Sequence, residues 1–201
     1  MNRKGIFFAG AAAALATLLA ATGAQATTNL LTNGDFETGD FSGWNVSASF
    51  TGVSTAPFDS LYAESGTYFA ALGAVGCCGS VSQTITDTPG QSLLLTYYHM
   101  SDGATPNYLE ADWNGVQIPA SVIVDAGDQR GSGYVLYSFR VAATGVDTLT
   151  FLEQNDPAYD ALDNVSLTAV PEPATWAMML IGFAGGCASL RRGRRGATAT
   201  A

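Results

Sequence analysis

From Asn29 to Ala169 no stretch repeats its apolar residues at helical spacing over three turns; they come instead in short runs broken by turn residues. The runs are Thr67–Leu72, Val81–Thr86, Leu93–His99, Tyr108–Trp113, Tyr134–Val141, Thr148–Leu152 and Leu162–Leu167. Each is flanked by Gly, Pro, Asn or Asp, the residues that tolerate or stabilise turn geometry. Between Trp113 and Val116 stands Asn114-Gly115, and because both residues accept φ > 0 this pair predicts a tight hairpin. Regularly spaced strands with turns between them, and no internal repeat, predict one all-β domain over residues 27–169 folded as an antiparallel sandwich.

The two ends of the chain read differently from this interior. After Asn2-Arg3-Lys4 an apolar run extends from Gly5 to about Leu19, and small residues follow up to Ala24-Gln25-Ala26. A charged start, an apolar middle and an A-x-A site predict a secretory signal peptide over 1–26, cleaved after Ala26 by way of the Sec machinery. At the other end, Val170-Pro171-Glu172-Pro173 leads into Ala174–Leu190, which carries no charge, and then into Arg191, Arg192, Arg194 and Arg195. As a helix this run would be about 25 Å long, at the short limit for crossing a bilayer. It predicts one transmembrane helix over 174–190 in the inner membrane. Trp176 would sit at the outer interface, the arginines would stay cytoplasmic and the interior would lie outside. Residues 196–201 read as a disordered tail.

Charge agrees with that placement. Of 17 acidic residues one, Glu172, belongs to the tail, so the interior sets 16 acids against Arg130 and Arg140, a formal charge of −14. Such a surface repels phosphate backbones and excludes nucleic acid as a partner. Of the three cysteines, Cys77 and Cys78 are neighbours and Cys187 lies in the apolar run, which is neither a multi-bridge framework nor a CxxC site. Between flanking glycines, Cys77 and Cys78 could form a vicinal disulfide, stay reduced or bridge two chains.

Pro171-Glu172-Pro173 followed by Trp176-Ala177-Met178-Met179-Leu180, Gly182-Phe183 and the arginine cluster resembles the PEP-CTERM sorting signal of Gram-negative bacteria that make exopolysaccharide. The resemblance covers residues 170–195. It implies recognition by exosortase, a membrane protease that cuts near Pro-Glu-Pro and passes the domain to the outer surface or extracellular matrix. Pro171, Glu172, Pro173, Trp176, Arg191, Arg192, Arg194 and Arg195 are then recognition residues, and catalysis belongs to the protease. The two prolines fix φ and remove donors, leaving an extended, unpaired segment that a protease cleft can accept.

Asn33-Gly34-Asp35-Phe36-Glu37 with Phe41-Ser42-Gly43-Trp44, Ser82-Gln83-Thr84-Ile85, Pro89-Gly90-Gln91 and Leu162-Asp163-Asn164-Val165 resemble galactose-binding-like jelly rolls, the fold of several carbohydrate-binding module families. The resemblance implies a jelly-roll sandwich opening with a strand near Asn29–Gly39 and closing near 161–167, a non-catalytic glycan-binding role and an extracellular polysaccharide partner. It also implies a structural Ca²⁺ between the first and last strands, with Glu37 and Asp163 at the matching positions. Hard oxygen ligands suit calcium, and a simple hydrogen-bonded turn is the alternative.

Sugar rings stack on aromatic faces beside polar groups, which makes Tyr98, Tyr108, Trp113 and Tyr159 candidate glycan-binding residues. Trp44, beside Gly43, reads as core. Along Leu95–His99 alternation puts Tyr97 and Tyr98 on opposite faces, so one is expected inside and the other outside. His99 is the only histidine and no G-x-S-x-G accompanies it, so a catalytic triad is not indicated. The expectation is a non-enzyme. A structural matrix protein without a specific glycan is the second reading, and a glycoside hydrolase the third.

Overall fold

The computed structural model describes residues 28–170, so the signal peptide, Pro171 to Arg195 with its predicted helix, Cys187 and residues 196–201 lie outside it. The described strands are β1 Asn45–Ser47, β2 Gly52–Thr55, β3 Tyr68–Leu72, β4 Gly79–Thr86, β5 Ser92–Ser101, β6 Asn107–Trp113, β7 Val116–Gln117, β8 Ile123–Val124, β9 Val135–Ala142, β10 Val146–Asn155 and β11 Asp160–Ala169. They form two antiparallel sheets, one in the order β1-β4-β10-β6-β7 with β8 also on β6, the other β2-β3-β11-β5-β9. The fold is the expected all-β sandwich of jelly-roll type.

Alternation drives the packing. On β5, Leu93, Leu95 and Tyr97 are buried while Leu94, Thr96 and Tyr98 are only partly covered. The inward set meets Leu149 and Phe151 of β10, Val81 of β4 and Leu162 and Leu167 of β11 in the main core. Tyr97 stacks on Tyr137 at 5.3 Å and meets the edge of Phe151 at 5.0 Å. A second, smaller core lies on the outer face of the β5-containing sheet. There Leu61, Phe69, Ala71, Met100 and Ala161 are sealed by the loop carrying Phe58 and Ala63. Burial of this kind contributes roughly 25 cal/mol per Å² of apolar surface removed from water.

The opening segment departs from expectation. Instead of a strand through Asn29–Gly39, a single bridge joins Asn29 to Thr168, and residues 30–44 run as successive turns. Local side-chain bonds outcompete a ladder here: Asn33 donates Nδ2 to the Asp40 carbonyl at 2.8 Å, and Asp40 accepts the Ser42 N–H at 2.9 Å. Asn33 and Phe36 take φ of 50° and 56°, which no strand tolerates. The turns still close the sandwich, because Phe36 and Trp44 enter the core with ring centres 5.8 Å apart. Gly34 lets them approach, since a Cβ there would stand 2.0 Å from the Val165 carbonyl oxygen.

The hairpin at Asn114-Gly115 forms between β6 and β7, with φ of 55° and 73°. β1, β2 and β8 were not foreseen: they are short, and the exposed Asn45–Ser47 shows no alternation.

Candidate functional site

Strand directions define two ends. Ser101, Asn107, Asn155 and Asp160 share one, the distal end, while Ser92, Trp113, Val146 and Ala169 share the other, from which the chain leaves. At the distal end the segment 47–54 separates two neighbouring hollows. One, of about 220 Å³, is lined by Phe50, Thr51, Ser54, Phe58, Ala71 and Tyr159. The other, of about 400 Å³, is lined by Ser47, Ser49, Val75 and Gly76 with Cys77 and Cys78. Phe58 meets Tyr159 edge-on at 4.8 Å, and Phe50 is 67% exposed. Gly73 leaves room for Tyr159 to lie on the backbone, as a Cβ there would come within 2.4 Å of the ring. The exposed Phe50 and the half-buried Phe58 and Tyr159, beside the Ser54 hydroxyl, are the materials of a sugar subsite.

Glu153 of β10 holds the two hollows together. Buried, it accepts the Thr51 hydroxyl on Oε1 and the Ala74 N–H on Oε2 at 3.1 Å, while Thr51 Oγ1 accepts the Gly73 N–H at 3.3 Å. Burial pushes its carboxyl above the ordinary value, against those two donors and with the Asp160 charge adding to the rise.

Beneath lies a buried polar layer. Asn155 Nδ2 donates to Asp160 Oδ1 at 2.9 Å and to Asp102 Oδ1 at 3.3 Å, and His99 Nε2 faces Asp160 Oδ2 at 3.2 Å. His99 Nε2 thus lies against a carboxylate rather than against a hydroxyl or thiol nucleophile. On β6, Glu110 is pushed up by burial and by hydrogen bonding to Asp112.

The four candidate aromatics do not converge. Tyr98 is half-buried on the outer face of its sheet, opposite Asp163 and 6.5 Å from the Tyr134 ring. Tyr108, on the outer face of the other sheet, bonds through its hydroxyl to Glu110. Trp113 packs on the core at the tail end, its indole N–H donating to the Ala142 carbonyl at 2.9 Å. Tyr159 alone lines a distal hollow. Phe50, Thr51 and Phe58 went unrecognised because 48–60 has no strand period to mark it, and Glu153 because its partners, Thr51 and Ala74, are far away in sequence. The one signal was the aromatic pair Phe50 and Phe58 around Ala56-Pro57.

Cys77 and Cys78 are exposed, and a cis peptide between them brings their side chains together. Glu37 and Asp163 grip one loop from opposite chain ends. Glu37 Oε1 accepts the Thr67 and Tyr68 N–H groups, each at 2.8 Å, and Asp163 Oδ2 accepts those of Glu64 at 2.8 Å and Ser65 at 3.4 Å. Burial, with the Glu64 charge adding to it, pushes the Asp163 carboxyl up to about 6 despite these donors. No group of three or more His, Cys, Asp or Glu side chains suited to a metal assembles among the described residues.

No curated protein matches the chain. Its fold is similar to a family 61 carbohydrate-binding module solved in complex with β-1,4-galactotriose, with TM-score 0.55 and 20% identity over 71% of this chain and 99% of that one. It is also similar to the CBM22-1 xylan-binding domain of Xyn10C from Paenibacillus barcinonensis, with TM-score 0.52 and 21% identity over 74% and 99%. The C-terminal family 22 module of Xyn10B from Clostridium thermocellum gives 0.50 at 10% identity over 72% and 97%. Residues 169–195 match the PEP-CTERM protein-sorting motif. The chain therefore joins a carbohydrate-binding-module fold to a PEP-CTERM sorting motif that marks an exported protein processed at the membrane.

Proposed function

We propose that this is an exosortase substrate, exported with a cleavable signal peptide, whose sandwich binds a neutral glycan of the exopolysaccharide matrix without cutting it. The observation that carries the glycan reading is the distal hollow lined by Phe50, Phe58 and Tyr159 together with Ser54. Its size suits one or two sugar rings, and the domain's formal charge of −14 disfavours anionic chains. The related folds solved with β-1,4-galactotriose and named for xylan binding make β-linked galactan and xylan oligosaccharides the first ligands to try. Tyr159→Ala should weaken binding about tenfold by calorimetry, the size expected for losing one aromatic platform. Binding unchanged in Tyr159→Ala and Phe50→Ala alike would move the site elsewhere. No binding to any glycan on an array would favour a structural matrix protein, a reading already served by the scattering of Tyr98, Tyr108 and Trp113 over separate surfaces.

Calcium belongs to this proposal too. Glu37 and Asp163 would supply carboxylate oxygens to it, with carbonyl oxygens of the 64–68 loop completing the set. Millimolar calcium should raise the thermal midpoint by about 5 °C, and Glu37→Ala should abolish that rise. Equal midpoints with calcium and with chelator would leave the two carboxylates as plain loop clamps.

A further inference from the structure

The end from which the chain leaves is chemically unlike the rest. Asn29 bridges Thr168, Leu30 donates its N–H to the Leu167 carbonyl at 2.8 Å and Val170 to that of Ser92 at 2.9 Å, so both ends of the domain emerge together. They share this end with the turns at 87–91, 114–116 and 143–146. Val116 and Val146 project here at 69% and 66% exposure, with Trp113 on the rim. These turns contain one of the domain's 16 acids, Asp87. It accepts the Gly145 N–H at 2.8 Å, and burial followed by contact with Asp147 pushes its carboxyl up. Asp147 itself is buried under bonds from Asn114 and Thr144.

Three residues separate Val170 from the apolar run that begins at Ala174. Fully extended they reach at most about 14 Å, about twice the 5–8 Å headgroup layer on one side of a bilayer, so this end of the domain stays within about 10 Å of the headgroups. We propose that this end is a lipid-docking surface: while the tail is uncut, Val116, Val146 and the rim of Trp113 rest on the headgroups of the membrane that holds residues 174–190. The inference rests on reading that run as a membrane segment. An acidic domain is repelled by anionic leaflets, so its acid-poor end is the one that can approach, and Trp at such a level is an interfacial anchor. Docking also aims the hollows outward, since the ten residues of β11 put about 30 Å between the two ends. Two valines and a tryptophan rim are too small to hold the domain once the tail is cut, so cleavage releases it.

The test uses the full chain in vesicles of phosphatidylethanolamine and phosphatidylglycerol, read by flotation and by hydrogen–deuterium exchange with mass spectrometry. The wild type and a Val116→Asp, Val146→Asp variant should float equally and melt alike. Amides of 87–91, 114–118 and 143–147 should exchange about fivefold more slowly in the wild type than in the variant, and those of 73–79 equally in both. A chain that floats with the same exchange in wild type and variant overturns docking and leaves the membrane tail standing. A wild type that fails to float overturns both.

Discussion

Glu153→Ala is expected to lower the unfolding free energy by about 2–3 kcal/mol, whereas Glu153→Gln is expected to be no less stable than the wild type at pH 7. Alanine leaves the Ala74 N–H and the Thr51 hydroxyl without their acceptor, and each orphaned buried group costs about 1–3 kcal/mol. Part of that loss is offset because a buried charge is removed with it. Glutamine keeps the Ala74 N–H bond on its Oε1 and reverses the other, its amide donating to a Thr51 Oγ1 whose own hydrogen loses its partner, and it offsets that loss by removing the buried charge altogether. The pH dependence follows from the raised carboxyl. Above the ordinary carboxylate value and below the raised one, the folded protein holds a proton that the unfolded chain has lost, so stability falls as pH rises through that window. Urea unfolding at a series of pH values should show that fall in the wild type and a flatter profile in Glu153→Gln. Identical profiles would mean that Glu153 does not titrate differently on folding. A fully stable Glu153→Ala would mean that the two hollows do not depend on it.

Replacing Pro171, Glu172 and Pro173 together by alanine is expected to abolish processing while leaving the domain folded. The three lie within the residues that match the sorting motif. The last hydrogen bond described before them, from Val170 to Ser92, does not involve them. Intact mass of protein recovered from the envelope and culture fluid should show, for the wild type, a product from Thr27 to near Pro171 only when exosortase is present. The variant should keep its tail in both strains. An identical cut in wild type and variant would place the scissile bond under some other protease.

Strand period made most of the sandwich readable in advance. The runs at 81–86, 93–99 and 148–152 alternate cleanly because one face of each meets the core, and each appears within a few residues of its observed bounds. Tyr97 and Tyr98 divide between inside and outside for the same reason, and Trp44 is core. What escaped were segments whose shape comes from side-chain bonds rather than from period. The 30–44 turns depend on Asn33 and Asp40 acting as acceptors and donors to their own backbone. β1 and β2 depend on partners far along the chain. The candidate site was less readable still. Residue type nominated aromatic residues, but only the folded chain shows that Tyr159 meets Phe58 and shares a hollow with Phe50 while Tyr98, Tyr108 and Trp113 lie apart. Glu153 gave no local sign, since its role follows from Thr51 and Ala74, 102 and 79 residues away.

The place of β11 in its sheet sets the order in which the fold can close. It is the last strand described and yet it lies between β3 and β5 rather than at an edge. Until Asp160–Ala169 has emerged, β2 and β3 have no sheet to join, and Asp163 cannot grip the loop at 64–65. Contacts this distant in sequence form late and slowly. A polypeptide that emerges N-terminus first therefore stays open for nearly its whole length. Its cooperative closure waits for the strand that runs directly into the residues matching the sorting motif.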